Sequence, residues 1–194
     1  MQMQPFEKWA VNSFSRLYLR WYLLPRFRVL VDGALSGRGL ALGPGVGWET
    51  LALAAQFPET TLIGVDYDSA QVDQARRTLA RRPALASRVD FCQGDATKLS
   101  FPSESFDFAY ALKVLHHVRD YPAAIREVHR VLKPSGRFFI QDLSRAFFVP
   151  GLQQLFPPES LFALVDLVTE LGAAGFRVDA TQGRAILFIK AHRR

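Results

Sequence analysis

Cysteine occurs once in the 194 residues, at Cys92 within RVDFCQG. One thiol makes no internal disulfide and no CxxC pair for zinc or redox chemistry, and its apolar neighbours predict a buried, inert side chain. Long apolar runs are also missing. No stretch approaches the ~20 residues that a membrane helix needs, and the first residues, MQMQPFEK, lack the basic-then-apolar layout of a secretory leader. The expectation is a soluble, cytoplasmic protein. GxxxxGK[ST], the loop that cradles a triphosphate, occurs nowhere. Acids are the scarcer charge, 18 against 24 basic residues, and the shortfall is concentrated at the front. The first 38 residues hold six basic side chains (Lys8, Arg16, Arg20, Arg26, Arg28, Arg38) against two acids (Glu7, Asp32), a surplus of four. The remaining 156 residues carry 18 basic and 16 acidic, a surplus of only two.

What is present is a globular composition. Hydrophobic residues make up 49% of the chain and aromatics 12%, enough apolar surface to offset chain entropy, so 1–194 are expected to form one domain. From residue 37 onward, short apolar runs alternate with longer amphipathic ones, the pattern of a parallel sheet with crossover helices. Strands are predicted near 39–42, 61–66, 88–93, 106–111, 136–142, 176–181 and 185–191. Asp68 with Gln71 three residues on resembles a capping box, opening a helix that ends before Pro83. Asp120 and Pro122 start another that runs through Ile125, Val128 and Leu132. Lys133 to Gly136 should turn into the next strand, and a further helix over 160–174 should end at Gly175 in a left-handed cap. Only Gln182, Gly183 and Arg184 separate the last two strands, too few for a parallel crossover, which predicts an antiparallel hairpin.

Residues 1–36 form a different segment. Phe14, Leu17, Tyr18 and Trp21 recur at helical spacing, Arg16 and Arg20 lie on another face, and Pro25 is expected to close the helix. Such an amphipathic arm reads as a helix packed on the domain, or as a substrate lid, a nucleic-acid face or a membrane-surface contact.

The chemistry starts at LALGPGVGWETLA, residues 40–52. A strand that ends in glycines and opens into a helix offers backbone amides and the positive end of the helix dipole to an anionic or electron-rich ligand. The spacing of Gly43, Gly45 and Gly47 is GxGxG. A dinucleotide fingerprint would need GxGxxG, and Trp48 or Thr50 stands where its third glycine belongs, which disfavours pyrophosphate. Asp66 in GVDYD follows Gly47 by 19 residues, where a carboxylate accepts both hydroxyls of a ribose. Asp95 in GDAT lies just past the third strand, within reach of an adenine amino group. Singly, each is as readily a helix cap or a turn residue.

Together and in order these stretches resemble the class I S-adenosylmethionine-dependent methyltransferases, in particular the group with small-molecule and quinone-type acceptors. The resemblance covers about 37–192 and rests on LALGPGVG, GVDYD, GDATKLSFPSESFDFAYALKVLHHV and EVHRVLKPSGRFFIQDL. It implies a Rossmann-like α/β core over 37–194, doubly wound, with helices on both faces of a seven-stranded, mostly parallel sheet ordered 3-2-1-4-5-7-6 with strand 7 reversed. It also implies S-adenosylmethionine as cofactor, S-adenosylhomocysteine as product, and cofactor contacts from Gly43, Pro44, Gly45, Gly47, Asp66, Tyr67, Asp95, Ala96 and Leu112. One departure stands out. The family has an acid two positions before its first glycine, where this chain has Ala41, a change that weakens the cofactor's grip or marks a non-catalytic binding protein.

The resemblance implies methyl transfer by in-line displacement to a small, partly apolar molecule, with rate supplied mainly by alignment. No residue is assigned as catalytic. His116 and His117 follow strand 4 at the ligand edge of the sheet, either as pocket wall or, for a hydroxyl acceptor, as a general base. Asp142 ends strand 5 at the same edge and either caps the following segment or touches substrate. The stretch 144–158, with Phe147, Phe148, Leu152, Leu155 and Phe156, either walls an apolar acceptor site or packs on the sheet. HHVRD has no zinc-ligand spacing and His129 falls on a distant helix, so no metal is implied. Methylation of RNA through the basic arm is the competing reading. Against it, no NPPY-like signature follows strand 4, and Pro157 and Pro158 fall after strand 5.

Overall fold

The computed structural model describes residues 19–147 and 161–194. Seven strands form a single sheet: β1 Gly37–Leu42, β2 Thr60–Asp66, β3 Val89–Gln93, β4 Phe106–Leu112, β5 Leu132–Leu143, β6 Phe176–Gln182 and β7 Ile186–Arg193. Their order is β3-β2-β1-β4-β5-β7-β6, as the resemblance implied. β1 to β5 pair in parallel, while β7 runs antiparallel to both β5 and β6. The short connection at Gly183 thus makes the expected hairpin, with β7 wedged between β5 and β6.

Alternation along the strands sends successive side chains to two separate cores. On β4, Phe108, Tyr110 and Leu112 join one core, while Phe106, Ala109 and Ala111 join the other. On β1, Ala41 faces the first core, and Leu40 and Leu42 face the second. Helices α1 Leu24–Val31, α2 Trp48–Gln56 and α3 Ser69–Ala80 cover the first core; α4 Tyr121–Val131 and α5 Leu164–Ala173 cover the second. β4, sandwiched this way at the centre of the sheet, has no exposed residue, which explains its near-continuous apolar sequence.

Two acids start helices as expected. The Asp68 carboxylate accepts from Ala70 N at 2.9 Å, and that of Asp120 accepts from Ala123 N at 2.9 Å. A third start falls later than predicted. The 160–174 helix begins at Leu164, because Asp166 reaches back to accept from Ala163 N at 2.7 Å and Phe162 is buried ahead of it. Its end is as expected, with Gly175 at φ 98°.

Pro25 behaves otherwise than its sequence suggested. A π-helical turn, Leu19–Leu23, leads directly into α1, and Pro25 occupies the first turn of α1, where its missing N–H costs nothing. α1 packs on the domain: Leu23, Phe27, Leu30 and Val31 are buried, and the Phe27 ring meets Tyr110 and Phe139 edge-on at 6.0 and 5.5 Å. The arm's earlier landmarks Phe14, Arg16, Leu17 and Tyr18 lie outside the described residues, as do Phe148, Leu152, Leu155, Phe156, Pro157 and Pro158.

The turn expected at Lys133 to Gly136 is a bulge inside β5. Leu132 pairs with Phe106 and Arg137 with Phe108, so the four intervening residues oppose Asp107 alone. Asp107 fills the gap by accepting from Lys133 Nζ at 2.7 Å and from Arg38 N at 2.7 Å. Among the described residues, no helix is long and apolar enough to cross a membrane.

Candidate functional site

The glycine loop turns out of β1 with φ of 55°, 53° and 84° at Gly43, Gly45 and Gly47, angles that side chains with a Cβ rarely adopt. At Gly43 space is short as well: a Cβ would sit 2.2 Å from Val114 Cγ2. Gly47 caps the start of α2, so the loop directs its amides and the helix dipole toward the carboxyl edge of the sheet.

Asp66, at the end of β2, holds this loop from the side. Its Oδ2 accepts from Gly45 N at 2.9 Å and its Oδ1 from Asp68 N at 3.0 Å. The carboxylate thereby holds the loop in register at the edge of the cleft. Asp95 is committed more locally: one oxygen accepts from Thr97 N at 2.8 Å and from Thr97 Oγ1 at 2.7 Å, a turn of its own making.

A cleft of about 390 Å³ joins these elements. Gly43, Gly45, Asp66, Tyr67, Asp95 and Ala96 all line it, and the Tyr67 ring is 61% exposed, available as a flat apolar surface. The other residues implied by the resemblance sit behind the wall. Pro44 lies against Gly64, Gly47 backs onto Phe91 and Ala75, and Leu112 is buried in the first core.

Across the cleft, the segment after β4 brings Lys113, Val114, His117 and Arg119 to the wall. Asp142 anchors this segment from β5. Fully buried, it accepts from Val114 N at 3.2 Å and Leu115 N at 2.7 Å through Oδ2, and it meets His116 Nδ1 at 2.5 Å and Leu143 N at 2.7 Å through Oδ1. Asp142 therefore caps the turn Leu115–His117 on the neighbouring connection, not the segment that follows it in sequence.

The two histidines divide their roles accordingly. His116 is buried and turned to Asp142, while His117 reaches the cleft with its ring 4.0 Å from that of His116. Burial, then the neighbouring His116, pushes the His117 imidazole down to about 3. It is neutral near pH 7 and a weak base, which suits a pocket wall facing a cationic ligand. His129 packs edge-on against Phe176 at 5.2 Å on the far side of α4. Cys92 is half-buried, and burial followed by the Asp90 carboxylate pushes its thiol up. Among the described residues no cluster of three or more His, Cys, Asp or Glu side chains is placed to hold a metal.

One ion pair had no motif to announce it. Lys113 Nζ lies 3.1 Å from Glu49 Oε1, with side chains only 20% and 15% exposed. The one signal in the sequence was indirect, namely Ala41 where an acid is usual.

The fold and cleft together define a Rossmann-like domain with an open cleft at the carboxyl edge of its sheet. Comparison with known proteins makes the class specific. Residues 40–140 match a family model described as a methyltransferase domain, more than half of this chain, and the chain belongs to that family. A probable S-adenosylmethionine-dependent methyltransferase of Mycolicibacterium smegmatis is 34% identical over 143 residues, covering 73% of this chain and 51% of that protein. The ubiquinone/menaquinone biosynthesis C-methyltransferase of Pseudomonas putida is 35% identical over 129 residues, covering 63% of this chain and 48% of that protein. The crystal structure of an S-adenosylmethionine-dependent methyltransferase from Aquifex aeolicus superposes with a TM-score of 0.81 at 19% identity, covering 100% of both chains. The chain spans about half the length of the first two relatives. The chain thus carries a methyltransferase domain of the class I, S-adenosylmethionine-dependent kind.

Proposed function

We propose that the protein transfers a methyl group from S-adenosylmethionine to a small, partly apolar acceptor by in-line displacement. The observation that carries this reading is the convergence, on one cleft, of the glycine loop, the Asp66 carboxylate and the Asp95 turn. The residues present fit the cofactor. Asp66 would accept from the ribose hydroxyls, Asp95 and Ala96 would meet the adenine, and Tyr67 with the bare backbone of Gly43 and Gly45 would complete the wall. Pro44, Gly47 and Leu112 support that surface from behind.

When bound, S-adenosylmethionine supplies an electrophilic methyl on a sulfonium, so the protein's task is to orient and exclude water. Orientation of this kind is worth up to ~7 to 11 kcal/mol. The Val114 side chain packs against the bare backbone of Gly43, which leaves no room there for a Cβ and closes the loop onto the segment after β4. The Asp142 cap keeps 114–117 in one conformation, and His117, neutral and partly apolar, walls the acceptor side. A quinol, sterol-like alkene or phenol matches such a wall better than a charged polymer. The relative that acts in quinone biosynthesis supports an acceptor of this kind.

The test is transfer of labelled methyl from S-adenosylmethionine to a panel of apolar phenols, quinols and carbon acids beside an RNA pool. The expected product is a labelled small molecule. Label in RNA alone would move the acceptor to nucleic acid, and cofactor binding with no transfer to any pool would leave a binding protein.

A further inference from the structure

The acid missing at residue 41 leaves a trace in the structure. Ala41 is fully buried and pairs with Tyr110 on β4, both facing the core under α2. On that face the Tyr110 hydroxyl and the Thr50 hydroxyl are neighbours, and neither finds a partner of hydrogen-bond geometry. Two buried hydroxyls without an acceptor are unusual, since such groups nearly always find one. The Ala41 side chain beside them supplies no acceptor.

Glu49 is adjacent to Thr50 in the first turn of α2 and close enough to Tyr110 to act on its phenol. Glu49 is held toward β4 by Lys113. Lys113 itself adopts φ 59°, unusual for a residue with a long side chain, and its N–H donates to Gln141 O at 2.7 Å. That backbone turns the lysine off the end of β4 and into the cleft wall. A strained residue at a cleft is a reason to look for a ligand.

Position along the sheet edge says which end of the ligand is involved. Asp95 follows β3, Asp66 ends β2, the glycine loop follows β1, and Lys113 follows β4, which is the spatial order of these strands. On the reading above, adenine, ribose and sulfur take the first three places. The amino-acid end of the cofactor then falls at the fourth.

We propose that Glu49 and Lys113 replace the absent acid and bind the zwitterionic amino-acid end, Glu49 its ammonium and Lys113 its carboxylate. The inference rests on the cofactor reading just given. An ion pair already formed and partly desolvated offers each ligand charge its opposite without leaving an isolated charge in the cleft when the site is vacated.

Calorimetric titration with two probes tests it: S-adenosylhomocysteine, and 5′-methylthioadenosine, which keeps the nucleoside and sulfur but has no amino acid. Glu49→Gln and Lys113→Met are each expected to weaken S-adenosylhomocysteine by about tenfold or more, the range for a lost hydrogen bond to a charged group. Binding of 5′-methylthioadenosine should stay within about twofold, which also shows that the variants are folded. Adding Ala41→Glu to Glu49→Gln should restore much of the lost affinity. Equal weakening of both probes, or of neither, overturns the inference while leaving the cofactor reading intact. Failure of the unaltered protein to bind either probe removes both.

Discussion

The two sides of the cleft are built on different principles. The β2–β3 side is held at partly exposed strand ends: Asp66 accepts from Gly45, 21 residues back, and from Asp68, and Asp95 accepts from Thr97 two residues on. The β4–β5 side is assembled across the chain. His116 meets Asp142 over 26 residues, and Lys113 meets Glu49 over 64. The first side is therefore readable as motifs and partly wet, whereas the second is buried, ionic and dependent on the whole sheet. Changes on the second side should cost fold stability, and changes on the first should cost ligand affinity.

The largest expected effect is at Asp142. Asp142→Ala leaves the amides of Val114 and Leu115 and the His116 ring without their acceptor in a buried place, and a loss of about 3 to 5 kcal/mol in stability is expected. Urea unfolding measures it. A loss under 1 kcal/mol would erase the distinction between the two sides. Asp66→Ala is the counterpart, with S-adenosylhomocysteine binding weakened by about 1.5 to 3 kcal/mol in calorimetry and stability nearly held. A variant that unfolds instead would place Asp66 with the structural side.

His117 sharpens the contrast through pH. Its imidazole is held from the usual 6.5 down to about 3, so the folded state resists a proton that the unfolded state takes up. The stability tied to this group is complete above pH 6.5 and drains away as pH falls toward 3. Between pH 6.5 and 5 the loss reaches at most about 2 kcal/mol, at 1.36 kcal/mol per pH unit for one proton. Melting curves of His117→Gln should lack that component, and identical pH profiles for the two proteins would contradict the assignment. The smallest effect is expected at Asp95→Asn, where the side chain is exposed and the amide oxygen still accepts from Thr97. Stability should change by under about 0.5 kcal/mol and cofactor affinity by about 1 kcal/mol.

This division also explains what could be read in the sequence. The strands were legible because a sheet covered on both faces is written as apolar runs, and the sheet order followed from a resemblance carried by four local stretches. The glycine loop, Asp66 and Asp95 were legible for the same reason, being punctuation at strand ends. Pro25 misled because one residue type both ends helices and suits their first turn, and what precedes it decides which. The bulge at 133–136 looked like a turn because only the pairing of Leu132 with Phe106 shows that the strand had begun. The start of α5 depended on which acid capped it. Glu49 and Lys113 were invisible singly, since a glutamate in a first helical turn and a lysine after a strand are ordinary, and only their meeting gives them meaning.

β7 carries a lesson about how the molecule is made. Among the described residues it supplies the sole neighbour of β6 and the outer neighbour of β5, yet the ribosome makes it after the six other described strands. While synthesis proceeds, β5 keeps a naked flank and β6 has nowhere to dock, so these described strands join only when β7 slides into the interior slot between them. A translational pause or a nonsense codon before Ile186 would leave a sticky half-built product for chaperones to shield.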